Sequence, residues 1–245
     1  MTSNQLSHCC ITGTLHNGEA TGEIKPIGKI STYIAYPETR STKKAIIILT
    51  DVMGHNLINA QLIADQFASK GYFVVMPDLF NGDIVPLNRP EGFNIMEWLK
   101  NHLPQQTEPI IDAVIKEMRE TLGCERIGGV GYCFGGKYVC RYLKPGKIDV
   151  GFTAHPTMVD AEELQGIEGP LSIAAAVRDA VFTTAKRHQS EDVLDQLDVP
   201  YQINLLSDVE HGFAVRCDLA KPRQKFAKEQ VFAQAVAWFN QYLVV

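Results

Sequence analysis

Short apolar runs alternate with longer amphipathic segments along most of this 245-residue chain. Several of the short runs are apolar at every position, as in strands that are covered by helices on both faces. The predicted strands are 29–36, 45–50, 72–77, 126–132, 150–155, 171–177 and 201–206. Strands separated by helical segments predict an α/β fold with a mostly parallel central sheet flanked by helices on both faces.

The longer segments have apolar residues three and four positions apart, which is typical of helices. In EPIIDAVIKEMRETLG these residues fall on one face, and Gly123 stands where a helix end is expected. The predicted helices are 57–72, 108–123, 134–143, 183–197 and 230–244. The stretch 81–104 has several turn signals and predicts a partly helical excursion that walls a pocket. No linker or repeat divides the chain, so we expect residues 1–245 to form a single domain.

Composition limits the classes of function. The net charge of −5 gives no general attraction to nucleic acid or to anionic lipid. No run of about eighteen apolar residues is present, so no membrane span is expected. The six cysteines follow no spacing of a secreted disulfide scaffold, and the start MTSNQLSHCC lacks the features of a signal peptide. We therefore expect a cytoplasmic location and free thiols.

The stretch GGVGYCFGGKYVC, residues 128–140, is a glycine-rich turn between a predicted strand and a predicted helix. A phosphate-binding loop is one interpretation, because Gly131 to Lys137 spells G-x-x-x-x-G-K. That motif needs Ser or Thr next, and the chain has Tyr138. A dinucleotide-binding turn is a second interpretation, but its third glycine position falls on Phe134.

The third interpretation fits every position of the motif. Gly131 to Gly135 is the G-x-S-x-G turn that exposes a nucleophile between strand and helix, with cysteine in place of serine. Cys133 is then the candidate nucleophile, and the two glycines avoid collisions on either side of it. The other cysteines are expected to be small buried hydrophobic residues. They are Cys9, Cys10, Cys124, Cys140 and Cys217.

A thiol nucleophile needs a histidine base and usually a carboxylate that orients it. In hydrolases with this turn, the acid and then the histidine follow the nucleophile, each after a later strand. His211 lies in a loop after the predicted strand 201–206, and Asp179 directly follows the predicted strand 171–177. Asp208 is a rival acid, but it lies in the same loop as His211.

An oxyanion needs two N–H donors beside the nucleophile. The backbone N–H of Phe134 begins the helix after the turn, and that of Val52 follows the predicted strand 45–50. His155 ends the predicted strand 150–155, beside the turn, and is a candidate for lining the substrate pocket.

With GYCFGG, Asp179 and the later HGF in place, the chain resembles the dienelactone hydrolases, also called carboxymethylenebutenolidases, from about residue 25 to its end. This resemblance implies an α/β-hydrolase fold in one domain with little lid structure. It also implies a Cys-Asp-His triad made of Cys133, Asp179 and His211.

Family members also have an acidic residue, usually glutamate, that holds the resting thiol. Asp51 occupies that position here and is therefore the candidate activator of the thiol, although its side chain is one methylene shorter than that of glutamate. Members that act on dienelactone hold the substrate carboxylate with arginines. Arg216 and Arg89 are the candidates for that role in this chain.

The sequence therefore predicts a hydrolase that cleaves esters or lactones of small molecules through a thioester. This chemistry requires no metal or organic cofactor. Its partner is a small-molecule substrate, with no nucleic acid or membrane, and the chain is expected to be a monomer or a weak homodimer. Two alternatives stay open: a redox-active thiol protein that uses Cys133, and a non-catalytic relative that binds small molecules.

Overall fold

The computed structural model describes residues 1–89 and 92–245. The strands are β1 (Glu23–Ile27), β2 (Ile30–Ala35), β3 (Lys44–Leu49), β4 (Phe73–Pro77), β5 (Arg126–Tyr132), β6 (Val150–Ala154), β7 (Leu171–Arg178) and β8 (Tyr201–Glu210). The helices are α1 (Ile58–Ser69), α2 (Ile95–Leu99), α3 (Pro104–Glu120), α4 (Phe134–Tyr142), α5 (Ala161–Gln165), α6 (Thr184–Leu194), α7 (Phe213–Arg216) and α8 (Pro222–Tyr242). A 3₁₀ turn precedes them at His8–Cys10.

The strands form one sheet in the order β1-β2-β4-β3-β5-β6-β7-β8. β1 pairs antiparallel with β2 and β2 antiparallel with β4, whereas all other pairs are parallel. The predicted α/β fold with a mostly parallel sheet is confirmed. β5 lies between β3 and β6, so the turn that follows it lies at the centre of the sheet's carboxyl edge.

Helices cover both faces of the sheet, which explains why the central strands are apolar throughout. On one face, Ile46 of β3 packs in a core with Phe67 of α1 and Phe239 of α8. On the other face, Ile47 belongs to a core that includes Ile111 of α3. Successive side chains of β3 therefore enter opposite cores, and all of these side chains are fully buried.

The sequence prediction missed one strand and ended another too early. β1 was not predicted, because it is an edge strand that contains Pro26 and is exposed at every position except Ile27. β8 continues beyond position 206 to Glu210, with an irregular register against β7. Asp208, with φ of 62°, lies in this extension and pairs with Arg223 on the surface. Polar, exposed edge segments carry no hydrophobic signal from which a strand can be predicted.

The predicted excursion over residues 81–104 contains one short helix, α2, and its positions 90 and 91 lie outside the described residues. Trp98 of α2 packs its ring against Phe80, with ring centroids 5.1 Å apart. Phe80 in turn packs against Phe134, the first residue of α4, at 5.1 Å. The excursion therefore supports the start of the helix that follows Cys133. In the described part of the chain, no helix combines the length and apolarity that crossing a membrane demands.

Candidate active site

Cys133 lies on a strained turn between β5 and α4. Its backbone has φ of 51° and ψ of −109°, a region that non-glycine residues rarely adopt. A Cβ on Gly131 would lie 2.7 Å from the carbonyl oxygen of Gly135, and a Cβ on Gly135 would overlap the carbonyl of Leu49. The predicted need for glycine at both positions is confirmed, since the tight turn leaves no room for either side chain.

We expect Gly135→Ala to lower the free energy of unfolding by about 2–3 kcal/mol, because the added methyl group meets backbone that cannot rotate away. Chemical denaturation measures this loss. Gly166→Ala is the matched control, since the nearest atom to its added Cβ would be 3.2 Å away and its φ is −90°. Equal losses in the two variants would show that the turn does not require glycine at position 135.

His211 and Asp179 form a buried hydrogen-bonded pair at the ends of β8 and β7. Nδ1 of His211 lies 2.9 Å from Oδ2 and 3.1 Å from Oδ1 of Asp179. Oδ1 also accepts hydrogen bonds from the backbone N–H groups of Val181 (2.7 Å) and Phe182 (2.8 Å). The carboxylate is therefore fixed in place, and it holds Nδ1 as the protonated nitrogen so that Nε2 is free to act as a base.

The electrostatics of this pair favour a charged state. Burial opposes the imidazolium, but the sulfur of Cys10 and the carboxylate of Asp179 outweigh it and raise the pKa of His211 to about 10. Burial also opposes the charged form of Asp179 and would raise its pKa. The hydrogen bond to His211 and the two backbone N–H groups outweigh burial, so the pKa of Asp179 is below its ordinary value. The pair is thus built to stabilise an imidazolium beside a carboxylate.

We expect Asp179→Asn to lower kcat/KM for a small activated ester by about 10²-fold or more, because the amide no longer fixes the tautomer of His211. Steady-state kinetics of the variant measures this effect. Asp195→Asn, at the end of α6, is the control that removes a carboxylate elsewhere and keeps wild-type rates. An unchanged rate in Asp179→Asn would favour the alternative of a redox-active thiol protein.

The sulfur of Cys133 lies in a cluster with His211 that the sequence did not fully predict. One ring nitrogen of His211 and the sulfur atoms of Cys133 and Cys10 all lie within 4.8 Å of one another, and all three residues are buried. Cys10 was expected to be a small buried hydrophobic residue. It is buried, but its thiol faces the candidate nucleophile and base, and an isolated Cys-Cys pair in an aperiodic segment gives no signal for that position.

The segment that carries Cys10 crosses the carboxyl edge of the sheet. The backbone N–H of Thr2 donates to Val159 (2.7 Å), and that of Thr14 donates to Arg216 (2.9 Å). Between them, the N–H of Asn4 donates to the carbonyl of Val181, at 2.9 Å. These carbonyls lie after β6, β7 and β8, so residues 2–14 lie across loops that include the ones carrying Asp179 and His211. This covering segment was not predicted from the sequence.

The candidate activator Asp51 and the candidate substrate ligand Arg216 are paired with each other. Their side chains form an ion pair in which each is about 1% exposed, and Oδ1 of Asp51 accepts the N–H of Met53 at 3.1 Å. The guanidinium also donates to the carbonyls of Thr12 (3.0 Å) and Cys9 (3.3 Å). In this conformation a substrate carboxylate would have to displace Asp51 from Arg216.

The other candidate ligands of substrate lie in different settings. His155, with φ of 42°, is completely buried, and its ring packs 5.0 Å from the ring of His211. Burial holds the pKa of His155 well below its ordinary value, so it is a neutral support for His211. Arg89 is exposed, and its guanidinium lies over the ring of Phe93, 4.9 Å from the centroid.

The two candidate oxyanion donors belong to the turns that follow β3 and β5. The N–H of Gly135 donates to Thr50 at 3.0 Å, which fixes the start of α4 against the end of β3. Val52 follows Thr50 and Phe134 precedes Gly135, so their N–H groups belong to adjoining turns. Within the described residues, neither N–H donates a hydrogen bond to a loop carbonyl or to a side chain.

The lysine of the G-x-x-x-x-G-K pattern is not available for a phosphate. Nζ of Lys137 donates to the carbonyl of Met158 (2.8 Å) and to carboxylate oxygens of Asp160 (3.0 Å) and Glu163 (2.7 Å). These contacts tie α4 to α5 and leave the amine buried. The structure therefore excludes the interpretation as a phosphate-binding loop.

The sheet order, the strained turn after β5 and the histidine after the last strand define an α/β-hydrolase fold. The sequence profile of the dienelactone hydrolase family matches residues 30–243, and the chain belongs to that family. It is an enzyme of the ester and lactone hydrolase class.

Relatives extend over nearly the full chain. Hydrolase pyvD of Aspergillus violaceofuscus is 61% identical over 243 residues, which are 99% of each chain. Dienlactone hydrolase 1 of Gibberella moniliformis is 31% identical and covers 96% of this chain and 93% of its own. The crystal structure of dienelactone hydrolase from Anabaena variabilis superposes with a TM-score of 0.63 at 13% identity, covering 93% and 99% of the two chains.

Proposed function

We propose that this enzyme hydrolyses small esters or lactones through a thioester on Cys133, with His211 as the base and Asp179 as its orienting carboxylate. The observation that carries the proposal is the strained turn at Cys133, with φ of 51°, whose sulfur lies within 4.8 Å of a ring nitrogen of His211. Backbone strain at a buried cysteine has a cost, and it persists where function requires that geometry.

The first half of the reaction acylates the enzyme. Nε2 of His211 takes the proton of the Cys133 thiol, and the sulfur attacks the carbonyl carbon of the substrate. The alcohol then leaves with the proton that His211 held, and a thioester remains on Cys133. Asp179 stabilises the imidazolium between these two transfers, since its carboxylate lies 2.9 Å from Nδ1.

The second half releases the acid. His211 takes a proton from water, the resulting hydroxide attacks the thioester, and the Cys133 thiolate leaves and is reprotonated. In a lactone the alcohol and the acid stay in one molecule, so the product is a hydroxy acid. The N–H groups of Val52 and Phe134 hold the oxyanion in both halves, and each such donor lowers the barrier by about 3 kcal/mol.

The covering segment has to move before a substrate reaches the thiol. Cys133 is 0% exposed, and the side chains of Asp179 and His211 are fully buried. The segment is held by hydrogen bonds to loops, such as that from Thr14 to Arg216, and by a few buried apolar side chains, among them Leu6 and Ile11. Local opening of such a segment costs less free energy than global unfolding, so it can occur within each catalytic cycle.

A panel of small esters, lactones and thioesters tests the proposal, assayed with and without iodoacetamide. We expect hydrolysis of at least one lactone, and loss of activity in step with alkylation of Cys133. A slowly hydrolysed lactone should protect that thiol. Alkylation of Cys133 without loss of hydrolysis, or no hydrolysis of any member of the panel, would refute the proposal.

A further inference from the structure

Cys10 has no part in the proposed hydrolysis, yet its sulfur belongs to the cluster at the candidate active site. The sulfur atoms of Cys10 and Cys133 and a ring nitrogen of His211 lie within 4.8 Å of one another. Nε2 of His211 is buried without a hydrogen-bond partner among the described residues, because the contact with Asp179 is made by Nδ1. Two thiols and one unpartnered imidazole nitrogen therefore converge in the protein interior.

We propose that Cys10, Cys133 and His211 form a binding site for a thiophilic divalent cation such as Zn²⁺, and that the bound cation inhibits the enzyme. Zn²⁺ binds cysteine sulfur at about 2.3 Å and histidine nitrogen at about 2.0–2.1 Å in tetrahedral geometry. Two sulfur ligands are then about 3.8 Å apart, and a sulfur and a nitrogen about 3.6 Å apart. Each pair of these atoms has to approach by at most about 1 Å, or slightly more, to reach these separations.

The surroundings of His211 suit a metal ligand. Histidines that bind metals usually donate their second N–H to a carboxylate, which fixes the ring and increases its basicity. Asp179 accepts from Nδ1 at 2.9 Å and is itself held by the N–H groups of Val181 and Phe182. With Nδ1 held by Asp179, Nε2 is the ring nitrogen that remains to bind a metal. Three protein ligands leave a fourth position for water or another small ligand.

A cation accounts for this cluster better than a disulfide between Cys10 and Cys133. A disulfide needs the two sulfurs to approach to about 2.05 Å, which is a larger movement than metal binding requires. It also uses two of the three groups and leaves Nε2 of His211 buried without a partner. Binding of a cation uses all three groups and releases their protons to solvent.

Inhibition follows from the identity of the ligands. A cation bound to Cys133 and His211 occupies the sulfur that attacks the substrate and the nitrogen that takes its proton. It also fastens the covering segment through Cys10, so access of the substrate is blocked. The binding rests on the geometry of the cluster alone, whereas the inhibition rests on the proposed function.

Binding is measured with Co²⁺, whose complexes with thiolate ligands absorb light, and with Zn²⁺ in competition with a coloured chelator. The protein is first fully reduced and stripped of metal. We expect one Co²⁺ per chain, with a sulfur-to-cobalt charge-transfer band and the visible bands of a tetrahedral site. Loss of a partner that only supports a ligand costs 10–100-fold in affinity, so Cys10→Ala should cost about 100-fold or more.

Cys9→Ala is the matched control, because its sulfur contacts Ser7 at 3.0 Å and is not one of the three atoms of the cluster. It should keep wild-type affinity. Circular dichroism and the midpoint of thermal unfolding show whether each variant folds, and Cys10→Ser is a second variant of the same position.

With an ester substrate, Zn²⁺ should inhibit wild type and Cys9→Ala, and a chelator should reverse the inhibition. Cys10→Ala should resist inhibition by Zn²⁺.

The outcomes separate the two claims. Binding of Co²⁺ that depends on Cys10, in a protein that hydrolyses no substrate, supports the site and counts against the proposed function. The site is overturned if the protein hydrolyses substrate but shows no thiolate-to-cobalt band. It is also overturned if wild type and a folded Cys10→Ala or Cys10→Ser variant bind Co²⁺ with equal affinity. If the metal-free protein has two fewer free thiols and a reductant restores them, the cluster forms a disulfide, and this result also overturns the metal site.

Discussion

Cys133→Ala should lower kcat/KM for a small activated ester by about 10⁵-fold, to a residual rate that comes from the oxyanion donors and substrate binding alone. The reason is that Cys133, unlike Cys10, combines a nucleophilic side chain on a strained, fixed backbone with a neighbouring imidazole. The loss should appear in kcat, since the sulfur acts in the transition state and contributes little to substrate binding. Initial-rate kinetics over a range of substrate concentrations separates kcat from KM.

Cys140→Ala is the control for this loss. Cys140 is a buried cysteine of α4, only 1% exposed, so both variants remove one thiol from the interior near the same helix. We expect Cys140→Ala to have at least half of the wild-type kcat/KM and to unfold at a similar denaturant concentration to Cys133→Ala. Loss of activity in both variants would point to damage of α4 and away from a nucleophile.

Arg216→Met should lower the free energy of unfolding by about 3–5 kcal/mol, because it leaves the carboxylate of Asp51 buried without its partner. Burial alone would lower the pKa of Arg216, but the carboxylate of Asp51 outweighs burial and keeps the pKa of Arg216 above its ordinary value. The substitution also removes the hydrogen bonds to the carbonyls of Thr12 and Cys9, so the covering segment should become more open to hydrogen exchange. Urea denaturation and hydrogen exchange measure the two effects.

Arg223→Met is the matched control, since it breaks an ion pair with Asp208 in which the arginine side chain is 80% exposed. Arg223→Met should lower the free energy of unfolding by less than about 1 kcal/mol. The double variant Arg216→Met with Asp51→Asn should lose less free energy of unfolding than the sum of the two single losses, by about 1–3 kcal/mol. Additive losses would mean that the two buried groups do not stabilise each other.

Most of the fold could be predicted because the central strands and long helices bury apolar side chains in a periodic pattern. Ile46 and Ile47 show the reason: they enter opposite cores, and both must be apolar. Most residues of the edge strand β1 and of the end of β8 face solvent, so little in their sequence distinguishes them from loops. Pairing at a sheet edge is decided by backbone hydrogen bonds, which every residue can accept and every residue except proline can donate.

The candidate site could be predicted where a motif fixes the backbone. The glycines around Cys133 and the order of Asp179 and His211 in the chain indicated which side chains would meet. The position of Cys10 could not be predicted, because it depends on how an aperiodic segment lies across loops from three strands. The ion pair between Asp51 and Arg216 was missed for a similar reason. Asp51 was assigned a role toward the thiol and Arg216 a role toward the substrate, and the two residues are 165 positions apart in sequence.

The most direct test is to locate the acyl group by mass spectrometry. His211→Ala should accumulate the acyl-enzyme, since it lacks the base that activates water, and an activated ester can still acylate the sulfur. After acid quenching and digestion, we expect one acyl group per chain, on the peptide that contains Cys133 and removable by hydroxylamine. An acyl group on Cys10 or on any hydroxyl, or turnover by the wild type with no acyl group on Cys133 at any time, would contradict the account.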